Sequence, residues 1–270
     1  MPNSMKGTRV MTFGAHGADH VNLCGGTMAK YASAGAEVMA VSLTYGAKSH
    51  SFLLDGGKPI TLEEVKELKK DEIRRACEIL GVQHIQNLDF EDSPLEIDAQ
   101  KIGMVVDLIR EFEPTFILSH HPNDVDWWDH RQAGKIVLAA YESSEEAGRE
   151  SKYEPWRANN LFFYHDYNFW NAQFYTLTPV VEPNVFIDVS DTIQLKEKAM
   201  MQFGSQFTEE EMRKTTPRHE GFWWLIHGID YAEAFLSMHP PVLDYFQVRE
   251  KGGRLSARKR KTPSSGAGEE

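Results

Sequence analysis

The chain has 270 residues, of which 41% are apolar and 11% aromatic, and a formal charge of −11. That length and apolar content fit one large α/β domain with a sizeable core, and the acidic balance argues against nucleic acid as a partner. No apolar run reaches 18 residues, so no membrane span is expected. The opening MPNSMKGTRVM carries no apolar signal segment, and the two distant cysteines, Cys24 and Cys77, suit buried thiols, so a cytoplasmic protein is expected.

In chain order, TRVMTFG (8–14) predicts a first buried strand, and a helix rich in small residues should run from about Gly25 to Ala34. GAEVMAVSLTYG then reads as a second strand bounded by glycines, and residues 47–61 as a loop. The segment TLEEVKELKKDEIRRACEILGV is the clearest helix. Thr61 and Glu64 form a capping box, Leu62, Val65, Leu68, Ile73, Ala76 and Leu80 recur at helical spacing, and Gly81 ends it. HIQNLDF (84–90) is a third strand, residues 98–114 a helix closed by Pro114, and TFILSHH (115–121) a fourth strand. This alternation predicts a single-domain, Rossmann-like, mostly parallel sheet flanked by helices over residues 1–250, with 251–270 as a basic, solvated tail. Further on, NVFIDVSD predicts a strand, and DTIQLKEKAMMQFGSQF and FWWLIHGIDYAEAFLSM two helices. The aromatics Trp127, Trp128, Trp223 and Trp224 are expected in the core or in subunit contacts.

In parallel sheets ligands sit beyond the carboxyl ends of the strands. Histidines cluster at two such ends: His16 and His20 in AHGADH, and His120 and His121 in SHHPNDVDWWDH. Buried imidazole and carboxylate need partners. His16 and Asp19 lie on a strand-to-helix turn, and Asp129–His130 follows the fourth strand. Two imidazoles and a carboxylate suit Zn²⁺ with positions left open for water or substrate; Fe²⁺, Mn²⁺ and Co²⁺ fit similar sets.

These motifs resemble those of the PIG-L/LmbE-like family of zinc-dependent N-acetylglucosaminyl deacetylases and their relatives. AHGADHV is similar to that family's AHPDDE signature, and HPNDVDWWDHRQAG to its His-Pro-x-Asp stretch ending in Asp-His. KKDEIRRACEILGV, FGSQF and GIDYAEAF resemble three further segments in the same order, over roughly residues 8 to 240. The resemblance implies His16, Asp19 and His130 as metal ligands. The position of the deacetylases' general base is Ala18, and general-base help contributes roughly 10²–10⁴-fold. Trp127 stands three residues before His130, where deacetylases often carry histidine. FGAHGADHV is more similar to the 4-oxalomesaconate hydratase branch, which has alanine at the same place and a glutamate near the position of His50.

The expected activity is therefore hydration of an unsaturated oxo-di- or tricarboxylate from aromatic catabolism; the alternative is a zinc-dependent deacetylase of an amino sugar. Hydration needs a Lewis acid, a base for water and an acid for carbon. His50 and His165 are the candidates for the proton transfers. Lys48, Arg131 and Arg218 are the candidates for the substrate carboxylates. His120 or His121 could orient a metal ligand. The aromatic stretch 161–175 suggests a homo-oligomer.

Overall fold

The structure, a computed structural model, describes residues 4–49, 61–124, 127–165, 183–211 and 229–240. His50, Arg218, Trp223 and Trp224 lie outside the described residues. By its contacts the chain separates into a unit spanning Met1–His239 and a terminal unit spanning Pro240–Glu270, and every element below belongs to the first. The elements are β1 (Arg9–Gly14), α1 (Asp19–Ser33), β2 (Glu37–Ser42), α2 (Leu62–Leu80), β3 (His84–Asn87), α3 (Ala99–Phe112), β4 (Phe116–Ser119), α4 (Trp128–Ser143), β5 (Asn160–Tyr164), β6 (Val185–Asp188), α5 (Ile193–Met200) and β7 (Ala232–Ser237).

The seven strands form one sheet in the order β3-β2-β1-β4-β5-β7-β6. The five strands from β3 to β5 pair in parallel, and β7 pairs antiparallel with both β5 and β6. The α/β class, with a mostly parallel sheet between helices, is the architecture expected from the sequence. Because successive side chains leave opposite faces of a strand, β1 feeds two cores. Val10 packs with Val21, Met28, Ile73 and Leu80 of α1 and α2, whereas Met11 and Phe13 pack with Val105, Ile109, Ile136 and Val137 of α3 and α4. Strand order reverses between β1 and β4, which opens the crevice where ligands of such sheets bind.

Local chemistry explains the helix ends. Thr61 Oγ1 accepts from Glu64 N at 3.2 Å while Thr61 N donates to Glu64 Oε2 at 2.7 Å, and Gly81 takes a left-handed φ of +74° at the other end. Such a cap stabilises a helix by about 1 kcal/mol.

The structure corrects several readings. Helix α1 starts at Asp19, six residues before the expected Gly25, and breaks at Cys24, whose φ is −144°. Just past the break, the N–H groups of Gly26 and Thr27 both donate to the Glu233 carboxylate, at 2.9 and 2.7 Å. Glu233 belongs to β7, so AEAFLS forms a strand where a helix was expected. Its alternation places Glu233 against α1, a contact that helical periodicity hid. Helix α4 was not anticipated. On α2, Leu62 is exposed and Leu68 half-buried, while Lys69 and Glu72 are buried. The inward face therefore runs Val65, Lys69, Glu72, Ile73, Ala76, Leu80. Trp127 and Trp128 are 43% and 54% exposed and so are not core residues. Both cysteines are free and buried.

Candidate metal centre

Strand β1 ends at Gly14, where a Cβ would lie 2.6 Å from the His16 carbonyl oxygen and 2.8 Å from His20 Nδ1. Only glycine lets the chain fold back so tightly. The turn carries His16 and delivers Asp19 as the first residue of α1, with Asp19 Oδ2 accepting from His16 N at 2.7 Å. From the other side, α4 lies flush against the end of β4. A Cβ at Gly134 would lie 2.7 Å from the His120 carbonyl oxygen. One turn before Gly134, His130 stacks on His120 with ring centroids 4.1 Å apart.

Three imidazoles consequently surround one carboxylate oxygen. Asp19 Oδ2 is 3.3 Å from His16 Nδ1, 3.1 Å from His120 Nε2 and 3.5 Å from His130 Nε2. His16, Asp19 and His130 each offer a ligand atom within 4.8 Å of the other two, and all three residues are buried. Two further groups share these histidines: His120–Asp124–His130 and His16–Asp92–Asp129.

The electrostatics follow from this crowding. Burial opposes ionisation of Asp19, but the charges of His130 and His16 and the hydrogen bond from His120 outweigh it and hold the carboxyl well below its usual range. Burial likewise opposes charge on His130, and Asp19 and Asp124 overcome it, raising that imidazole well above its ordinary value. His16 is raised in the same way by Asp19 and Asp129. Asp129, opposed by burial but bonded by His16, Leu95 N and Ser93 N, is held down at about 2. Among the described residues neither ring nitrogen of His20 has a hydrogen-bond partner, and burial lowers it to about 4.

The donor set fits a divalent ion. Two ligands about 2.0–2.1 Å from one tetrahedral ion lie roughly 3.3 Å apart, which is the spacing of Asp19 Oδ2 from the His16 and His130 nitrogens. Among the described residues, neither buried ring nitrogen of His130 has a hydrogen-bond partner. A buried imidazole nitrogen facing a carboxylate oxygen is satisfied by a shared proton or by a metal ion between them. Asp129 accepts from His16 Nε2, and Asp124 Oδ2 lies 3.7 Å from Nδ1 of both His120 and His130. These carboxylates turn the opposite nitrogens toward the centre.

Residues 11–141 match the family described as GlcNAc-PI de-N-acetylase, PIG-L. That match takes in just under half of the chain. The chain is 32% identical over 126 residues to the 4-oxalmesaconate hydratase of Pseudomonas putida, a match spanning 47% of this chain and about half, 48%, of that protein. It is 26% identical to the diacetylchitobiose deacetylase of Thermococcus kodakarensis, over 75% of this chain and 71% of that one. Among solved structures, the 4-carboxy-2-hydroxymuconate hydratase from Pseudomonas putida KT2440 superposes with a TM-score of 0.77 at 23% identity, covering 89% of this chain and 100% of that one. PIG-L relatives thus include both hydratases and deacetylases, and which reaction applies is a separate question.

The other expected site residues are less tightly grouped. His165 directly follows β5, beyond the carboxyl end of that strand, as His16 does for β1 and His120 for β4. Lys48 pairs with Glu91 and is partly exposed. Arg131 donates to the Asp124 carbonyl at 2.9 Å and lies over the Trp128 ring at 5.7 Å. His121 accepts from Asn123 N at 3.0 Å within its own loop. Sequence reasoning missed Asp92, Asp124 and Lys69. Two of them left a signal: Asp124 is the aspartate of the His-Pro-x-Asp stretch, and Lys69 is a lysine one helical turn from Val65 and from Ile73 on the apolar face of α2.

Proposed function

We propose that the protein is a metal-dependent hydratase adding water to the conjugated C=C bond of an oxo-di- or tricarboxylate of the 4-oxalomesaconate type. The observation that carries this reading is Ala18. It is buried at the N-cap of α1, beside Asp19, with no side chain that can take a proton. Amide hydrolysis by the deacetylase route asks for a carboxylate base there. The hydratase from Pseudomonas putida, at 32% identity, supports the same choice.

His16, Asp19 and His130 would hold the ion, with Zn²⁺ favoured by the two-imidazole, one-carboxylate set. When bound, a divalent ion supplies Lewis-acid stabilisation of developing enolate charge. Asp129 and His120 keep His16 and Asp19 in place. His165 at the end of β5, and His50, are the proposed carriers of the proton taken from water and of the proton given to carbon. Lys48, Arg131 and Arg218 are the proposed contacts for the substrate's outer carboxylates, and the working protein is proposed to be a cytoplasmic homo-oligomer.

Amide deacetylation is the second reading. The longer match to a deacetylase, 75% of this chain, favours it. In that case Asp92 or Asp129, which share a group with His16, would stand in for the missing base.

One experiment separates them. Metal-loaded protein is mixed with 4-oxalomesaconate and, separately, with N,N′-diacetylchitobiose. Loss of conjugated ultraviolet absorbance that a chelator stops is the expected result. Acetate release with unchanged absorbance of the first substrate would overturn the hydratase reading.

A further inference from the structure

We propose that Tyr164 is a positioning residue of the metal centre: its hydroxyl clips the end of β1 to the end of β4 and its ring edge fixes His120, so that the segments bearing the ligands stay at metal spacing. This rests on the metal-binding part of the proposed function and holds for either reaction. Strand β1 keeps register with β2 as far as Gly14 opposite Ser42, but with β4 only as far as Thr12 opposite Leu118. Beyond that pair the two strands part, and the chain runs on from one to His16 and from the other to His120. Tyr164 is the last residue of β5 and is buried. Its hydroxyl lies 3.1 Å from the Phe13 carbonyl oxygen and 3.3 Å from that of Leu118. A phenol has one proton to give, and here it serves a carbonyl of each strand at the point where their own ladder stops.

Two further contacts tie the same side chain to the centre. The ring meets the His120 imidazole edge-on, with centroids 5.4 Å apart and planes at 89°. His120 in turn places Nε2 3.1 Å from Asp19 Oδ2 and carries the stacked His130 ring. Cys24 Sγ, at the break in α1, lies 3.8 Å from the hydroxyl, so the helix that begins with Asp19 reaches the same oxygen. One phenol therefore touches β1, β4 and α1, the segments that lead to His16, His120 and Asp19. Without the hydroxyl, two buried carbonyl oxygens lose a donor and the strand ends lose their clip. Shifts of about half an ångström matter to such a site. The nitrogens of His16 and His130 already stand 3.3 and 3.5 Å from Asp19 Oδ2. Tyr141 offers a matched comparison. Its hydroxyl also meets a backbone carbonyl, that of Ala158 at 3.3 Å, but in the core built by α3 and α4.

The test uses the full-length protein with Tyr164→Phe, which keeps the ring, and Tyr141→Phe. Zinc affinity is read by competition against a chromogenic chelator. The visible spectrum of the Co²⁺-loaded protein reports ligand geometry, and melting curves of the metal-free protein report the fold. Tyr164→Phe is expected to weaken zinc by about tenfold or more and to change the Co²⁺ bands. Tyr141→Phe is expected to leave both as in the unchanged protein, whatever it does to melting. Zinc affinity in Tyr164→Phe within a factor of about two of the unchanged protein, with the same Co²⁺ bands, would overturn the positioning role while leaving the metal centre intact. An equal loss of zinc affinity in both variants would show a general loosening of the fold and overturn it too. So would a Tyr164→Phe protein that does not fold beside a folded Tyr141→Phe. Failure of the unchanged protein to bind zinc would bring down the positioning role and the metal reading together.

Discussion

Asp129 Oδ2 lies 3.2 Å from His16 Nε2, across 113 residues of chain. The carboxylate also accepts from Ser93 N at 3.0 Å and Leu95 N at 2.8 Å, so it is fixed from three sides. Held down at about 2, it is ionised at neutral pH and can only accept. With a metal ion on Nδ1, beside Asp19, His16 would keep its proton on Nε2. The tautomer of one proposed ligand is set by the neighbour of another.

Asp129→Asn should weaken metal binding by roughly 10–100-fold, the usual effect of removing an outer carboxylate partner. Competition against a chromogenic chelator reads this directly. An affinity within a factor of about two of the unchanged protein would show that Asp129 does not orient His16.

Metal and protons should compete for the centre. His16 and His130 are raised above 6.5 in the metal-free fold, so the stability they contribute is fully present below that pH and is lost as pH rises through their higher values. Asp19 and Asp129 are lowered, so their contribution is present above the unfolded value of 3.8 and is lost as pH falls toward about 2. Metal-free protein should accordingly be most stable between about pH 4 and 6.5 and should melt earlier at pH 8. Metal-loaded protein should keep its melting temperature at pH 8, and zinc addition at neutral pH should release protons. Melting curves with and without chelator, and titrations in buffers of different ionisation enthalpy, check both.

The buried pair of Lys196 and Glu233, at 2.8 Å, closes the break in α1 from β7. Lys196→Met leaves the Glu233 charge without its partner and should cost about 3–5 kcal/mol in denaturant unfolding. A loss below about 1 kcal/mol would place the stabilisation in the backbone N–H groups of Gly26 and Thr27 instead.

Cys24 and Cys77 should be silent toward thiol reagents in the folded state. Burial raises both thiols, Cys77 to about 12, and the thiolate is the reactive form. A disulfide reagent at pH 8 should report no thiol until denaturant is added and two afterwards. Rapid labelling of the native protein would contradict the packing around α1 and α2.

The sequence by itself determined the alternating βα order, the capped α2 helix and the placing of histidines at strand ends, because these depend on local periodicity and on turn chemistry between near neighbours. His16 and Asp19 were legible for the same reason, being three residues apart on one turn. Tertiary structure alone decided the rest. It set Asp129 on His16, stacked His130 on His120, brought Asp124 to Nδ1 of both rings, and joined Glu233 to a break in α1 more than 200 residues away. It also turned Lys69 inward on a helix whose pattern had suggested Leu68. Such pairings depend on how sheet and helices pack. A lone polar residue carries no local mark of the partner that packing will bring to it.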